Sequence, residues 1–181
     1  MQSVEFKAEL RDAPLARGAL PRIGAKLVGK LEQTDTYFRV TSGVLKLRRC
    51  SHAGEPEPPE VIHVERATER QPRVCRFRIY TEAEARERFG QLPLPVRTIV
   101  HKQREIWMLG GLRVHLDSVQ HAGRFIELEA LVSRRQHVGR CHEMIAAARR
   151  RLQPALGEPL TAGYAELVGD SDERGVEAPA A

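Results

Sequence analysis

Apolar and charged residues alternate strictly along several stretches of this chain. In VEFKAEL, Val4, Phe6, Ala8 and Leu10 alternate with Glu5, Lys7 and Glu9, and a strand is predicted over residues 2–10. The apolar positions of 13–28 fall near helical spacing and predict a helix bent or interrupted at Pro21. QTDTYFRV (33–40) and GVLKLRRC (43–50) are β-rich runs separated by Thr41, Ser42 and Gly43, the pattern of a hairpin. The prolines and glycine of SHAGEPEPPE (51–60) predict a loop, and VIHVERA (61–67) with RVCRFRIY (73–80) predicts a second hairpin. In TEAEARERFG (81–90), Thr81 as N-cap, Glu84 three residues on and Gly90 as stop predict a helix. Three β runs follow between 96 and 133: VRTIVHKQREIWML, LRVHLDSV and GRFIELEALV. A closing helix is expected over 136–156, apolar at Val138, Cys141, Met144, Ile145, Ala148 and Leu152. About eight strands in meander order with two or three helices predict an α+β fold on an antiparallel sheet or barrel. One domain is expected over 1–168, followed by a disordered polar tail, 169–181.

Composition narrows the function classes. No apolar run approaches the roughly 20 residues of a membrane span, and MQSVEFKAEL lacks the basic-then-apolar layout of a signal peptide. Cys50, Cys75 and Cys141 are odd in number and form no CxxC, which points to reduced thiols in a cytoplasm rather than a disulfide framework or zinc site. The histidines show neither HxH nor HExxH spacing, and no GxxxxGK[ST] loop is present. A net charge of +5 and a pI of about 9.4 favour an anionic partner. Aromatic residues are only 5%, with one Trp, poor material for stacking nucleic-acid bases, so nucleic acid is not the expected partner.

Sorting the strands by face changes the picture most. Lys46 and Arg48 share one face of their strand, Lys102 and Arg104 another, and Arg113, His115 and Asp117 a third. Arg76 and Arg78 stand opposite Cys75, Phe77 and Ile79, while Arg66 shares a face with Ile62 and Val64. The acids cluster too, in Glu5 on the first strand and the Glu127/Glu129 pair on the last. Like charges crowded on one sheet face repel unless something compensates them. A sheet curled around a charged interior, with its apolar outer face under the helices, meets that requirement. Its nine basic side chains (Lys7, Lys46, Arg48, Arg66, Arg76, Arg78, Lys102, Arg104 and Arg113) could surround a polyanion. Glu5, Glu127 and Glu129 could hold Mg²⁺ or Mn²⁺ against its phosphates. Tyr37 could stack on a base or simply pack, and His115 could contact substrate or be an ordinary strand residue.

With VEFKAELRD, QTDTYFRV, GVLKLRR, HKQREIWMLGGLRVHLDSV and GRFIELEALV in this order, the chain resembles the CYTH superfamily, the triphosphate tunnel metalloenzymes. The likeness spans roughly 2–167 and is nearest the class IV adenylyl cyclase branch. The resemblance implies an eight-stranded antiparallel tunnel, a triphosphate substrate such as a nucleoside triphosphate, a Mg²⁺ or Mn²⁺ cofactor, and a homodimer as one possible assembly. The family's N-terminal Glu-x-Glu-x-Lys falls on Ser3, Glu5 and Lys7, so a hydroxyl stands at its first acidic position. By resemblance, Lys7, Arg48 and Asp117 carry catalysis, the basic residues above bind substrate, and Glu5, Glu127 and Glu129 bind metal. The implied activity is adenylyl cyclase, ATP to cyclic AMP and pyrophosphate. The alternatives are an inorganic or thiamine triphosphatase and a non-catalytic binder of polyphosphate or nucleotide.

Overall fold

The structure, a computed structural model, describes residues 1–66, 71–90 and 94–169; Ala67 and the expected tail from 170 onward lie outside the described residues. In chain order the strands are β1 (Gln2–Leu10), β2 (Lys26–Phe38), β3 (Val44–His52), β4 (Glu55–Pro56), β5 (Glu60–Arg66), β6 (Arg73–Tyr80), β7 (Val96–Leu109), β8 (Leu112–Val119), β9 (Gly123–Leu131) and β10 (Leu156–Pro159). The helices are α1 (Ala13–Arg22), α2 (Glu82–Phe89), α3 (Val138–Leu152) and α4 (Tyr164–Val168). Eight strands pair antiparallel in the order β1-β6-β5-β3-β2-β7-β8-β9, and β9 pairs back onto β1. The sheet is therefore a closed barrel, which leaves its main strands no open edge. β4 folds back on β3, and β10 pairs with the second half of β1 beyond the stretch taken by β6.

Local chemistry accounts for most boundaries. Asp12 caps α1 by accepting from the Leu15 backbone N–H at 2.8 Å. Thr81 and Glu84 form the expected capping box of α2. At the β2–β3 turn Gly43 has φ +70, and a Cβ there would come within 2.8 Å of the Val64 carbonyl oxygen, so only glycine fits.

Four expectations are corrected. The helix predicted over 13–28 ends at Arg22, and residues 26–28 begin β2, whose pairing with β7 starts at Lys26 opposite Met108. Segment 51–60, expected as loop, carries the end of β3 and all of β4. α3 stops at Leu152, two residues before Pro154, which lies in a short 3₁₀ turn and cannot donate a helical hydrogen bond. Neither β10 nor α4 was anticipated.

The apolar outer faces of β1, β8 and β9 form the largest core, with Phe6, Leu116 and Leu128 packed against α1 and α3 through Ala16, Leu20, Ile145 and Leu152. A second cluster places α2 over the outside of β3, β5 and β6, where Leu45, Val61 and Tyr80 meet Ala85. The third lies inside the barrel. Tyr37, Val100, Val119 and Phe125 point inward at one end and close around Tyr164, Ala165 and Val168 of α4. α4 thus plugs one end of the tunnel, and the charged interior begins beneath it. Among the described residues, no helix is long and apolar enough to cross a membrane.

Candidate active site

Register decides which side chains meet. Paired residues of antiparallel neighbours point to the same side of the sheet. Glu5 lies opposite Glu129 and Lys7 opposite Glu127; His115 and Arg113 on β8 face the same two glutamates from the other side. Arg104 pairs with Asp117, Asp35 with Arg48, and Gln33 with Lys102. All of these residues point into the barrel, around a cavity of about 400 Å³. Of the residues singled out in the sequence, Glu5, Lys7, Lys46, Arg48, Arg66, Lys102, Arg104, Arg113, Glu127 and Glu129 line it directly. Asp117 lies behind the lining, 2% exposed.

Asp35 organises the first charge cluster. Fully buried, it accepts from Lys46 Nζ at 2.9 Å, Arg48 Nε and Nη2 at 2.7 and 2.8 Å, and Lys102 Nζ at 3.2 Å. Burial alone would raise its pKa, but Lys102, Lys46 and Arg48 hold it well below the usual carboxylate range. Burial pushes Lys46 down to about 8, with Arg48 adding to the shift and Asp35 opposing it. Lys102 is pushed well below the ordinary lysine value by burial and by Arg104.

Asp117 organises the second cluster. Arg104 donates to both of its oxygens, Nε at 2.7 Å and Nη2 at 2.6 Å, and the Tyr164 hydroxyl donates to Oδ2 at 2.6 Å. Burial works against the Asp117 charge, yet Arg104 brings its pKa to about 2. The ring of Tyr164 stacks under two lysines, with Lys7 Nζ 4.0 Å and Lys102 Nζ 5.0 Å from its centroid. Glu127 lies 3.7 Å from Lys7, 3.8 Å from Arg104 and 3.5 Å from His115 Nδ1. Burial drives His115 down to about 4, helped by Arg104, so the imidazole is neutral at pH 7.

Arg76 and Arg78 do not join the site. Ser3 of β1 points inward with Glu5 and Lys7, and it pairs with Cys75, so the odd-numbered residues of β6 face in. Arg76 is exposed, and Arg78 lies outside against the Tyr80 ring, 3.8 Å from Glu84. Phe77 and Ile79 take the inner positions. Sequence reasoning also missed Asp35 and Tyr164. Asp35 could have been found, since QTDTYF alternates with Gln33, Asp35 and Tyr37 on one face. Tyr164 carried no such signal; it reaches the site through the backbone path of 156–163. That path is tied down by Leu160 N–H to the Lys7 carbonyl at 2.9 Å, Arg73 Nη1 to the Thr161 carbonyl at 2.7 Å, and Gln71 to the Leu160 carbonyl.

The model of the CYTH domain matches residues 1–164. This chain belongs to the CYTH family. Members of the CYTH superfamily are metal-dependent enzymes that act on triphosphates. Among solved structures it is similar to the PH1012 protein of Pyrococcus horikoshii OT3, with 22% identity and a TM-score of 0.69 over 92% of this chain and 99% of that one. It is also similar to a candidate adenylate cyclase from Vibrio parahaemolyticus, with 16% identity and a TM-score of 0.65 over 92% and 97% of the two chains. No curated protein matches the chain in sequence. At these identities the solved structures establish the shared fold.

The CYTH tunnel of this chain suits a hard divalent cation by its donor chemistry. Glu5, Glu127 and Glu129 face one another from β1 and β9, and burial, Glu127 and Glu5 together push the Glu129 carboxyl above its usual value. A dication between them would relieve that repulsion. Ser3 does not supply the missing acid: its hydroxyl lies 3.3 Å from Glu5 Oε1, and Cys75 Sγ lies 3.1 Å from Oε2. Among the described residues no three His, Cys, Asp or Glu side chains are already closed into a coordination cluster. Glu127 and Glu129 are held instead by neighbouring cations, Glu127 by Lys7 and Arg104 and Glu129 by Arg113 at 3.3 Å.

Proposed function

We propose that this CYTH protein is an adenylyl cyclase of the class IV type, converting ATP to cyclic AMP and pyrophosphate with Mg²⁺ or Mn²⁺ held at Glu5, Glu127 and Glu129. One observation carries the reading: a row of cations and a trio of carboxylates face each other across one cavity. The cavity presents Lys7, Lys46, Arg48, Arg66, Lys102, Arg104 and Arg113, seven cations, against Glu5, Glu60, Glu127 and Glu129, with Asp35 and Asp117 buried behind them. Counted formally, seven basic side chains thus meet six carboxylates. A triphosphate carries about four negative charges, so the protein alone is a poor counter-charge, and a dication is what tips the balance. When bound, the metal neutralises phosphate oxygens and the charge that develops on them.

The residues divide the remaining work. Lys46, Arg48 and Lys102 are held in place by Asp35, and Arg104 by Asp117, so each presents its charge in a fixed position. Asp117 with a pKa near 2 is an anchor, not a base. Lys7 is the group suited to accept a proton, because burial lowers its pKa in spite of Glu127 and so favours the neutral amine. In the reaction the 3′-hydroxyl gives its proton to the unprotonated Lys7 amine, its oxygen bonds to the α-phosphorus, the bond from that phosphorus to the α–β bridging oxygen breaks, and pyrophosphate leaves with the electron pair of that bond. Incubation with ATP and with tripolyphosphate, followed by phosphorus NMR, tests this. Cyclic AMP with pyrophosphate is expected. Orthophosphate without cyclic AMP would replace the cyclase by a triphosphatase, and tight binding without turnover at high Mn²⁺ would leave a binder.

A further inference from the structure

One wall of the cavity is apolar. Ile62 pairs with Ile79 and Val64 with Phe77 across β5 and β6, and all four face the cavity. None of them joins any of the three core clusters. They form a contiguous apolar patch against a space otherwise lined by ionised groups, and on β7 Ile106 faces the same space. Ile62 is already buried, but Ile79 is exposed, and an apolar surface open to water is unfavourable unless something covers it.

Position along the tunnel indicates what covers it. On β5, Arg66 packs against Gly163 at the plugged end, and Val64 and Ile62 follow it away from the plug. Ile79, the partner of Ile62, is 38% exposed, so the patch runs to the unplugged mouth. The cations clustered on Tyr164 and Asp35 lie deeper. A ligand with phosphates bound deep would therefore lay whatever is esterified to them on the patch.

We propose that the β5/β6 wall seats the base of a nucleoside triphosphate or a similar flat apolar group, so that the protein selects triphosphate esters that carry such a group over inorganic triphosphate. This rests on the triphosphate reading above and specifies its substrate class. The patch offers no hydrogen-bonding group, so it contributes through the apolar face of a base rather than by reading its edge. Dissociation constants measured with Mn²⁺ for ATP, ribose 5′-triphosphate and inorganic tripolyphosphate test it, on the wild type and on Phe77→Ser and Ile79→Ser. ATP should bind roughly tenfold or more tighter than either of the others, the range a hydrophobic pocket supplies. Both variants should lose that preference while keeping the wild-type affinity for tripolyphosphate, which also shows that their cavity is intact. Equal binding of all three ligands to the wild type would overturn the inference and leave the triphosphate reading standing. Binding of none would overturn both. A fall in tripolyphosphate affinity parallel to that for ATP in Ile79→Ser, the more exposed site, would also overturn it.

Discussion

Replacing Asp35 with Asn keeps the shape of the side chain and removes its charge. In the folded barrel that carboxylate, with no solvent exposure, accepts from Lys46, Arg48 and Lys102 at 2.7–3.2 Å. The amide would leave three largely buried cations facing one another. Removing one partner of a buried ion pair costs about 3–5 kcal/mol, because the stranded charge has lost its water without keeping its counter-charge. For a chain of this size each kcal/mol moves Tm by roughly 2–4 °C, so Asp35→Asn should melt about 6–20 °C lower at pH 7. The pH profile adds an independent signature. Asp35 has a folded pKa depressed below its unfolded value of about 3.9, so its contribution is present above that pH and is lost as pH falls further. The wild type should therefore lose stability below about pH 4 more steeply than Asp35→Asn. Tripolyphosphate, whose oxygens can replace the missing carboxylate, should raise the Tm of the variant more than that of the wild type. Urea denaturation at pH 7 and a thermal melt series across pH 3–7 measure these effects. A change under about 0.5 kcal/mol, or superimposable pH profiles, would refute the role assigned to Asp35.

Three further outcomes follow from the site. Arg76→Ala and Arg78→Ala should leave tripolyphosphate affinity unchanged, since both face outward, whereas Lys102→Ala should weaken it about tenfold or more; titration calorimetry separates them. Lys46, with a pKa brought down to about 8, is charged below that pH and loses its proton above it. Tripolyphosphate affinity should thus fall as pH rises through about 8, and Lys46→Arg, which stays charged, should flatten that limb of the profile. Glu129→Gln removes one of three facing carboxylates and should weaken Mn²⁺ binding by at least about tenfold, read as free Mn²⁺ by electron paramagnetic resonance.

Much of the fold was legible because alternation is local. A period-two pattern such as VEFKAEL specifies a strand and its two faces whatever lies beyond it, and the capping box at Thr81 and Glu84 acts within one helical turn. The recurrence of paired bases and acids, strand after strand, also indicated a closed sheet with an ionised interior, and by resemblance the CYTH family. Lys7, Lys46, Arg48, Lys102, Arg104, Glu127 and Glu129 all face the cavity as that pattern implied. Alternation does not say which of a strand's two faces turns inward. On β6, with Arg on one side and Cys, Phe and Ile on the other, only the pairing of Cys75 with Ser3 decided it, and it turned the apolar side in. Tyr164 reached the tunnel by a route of the same long-range kind, through contacts between residues about ninety apart in sequence. Periodicity belongs to neighbouring residues and can be read along the chain; register and plugging are fixed by partners far away in it, and exist only once the barrel has closed.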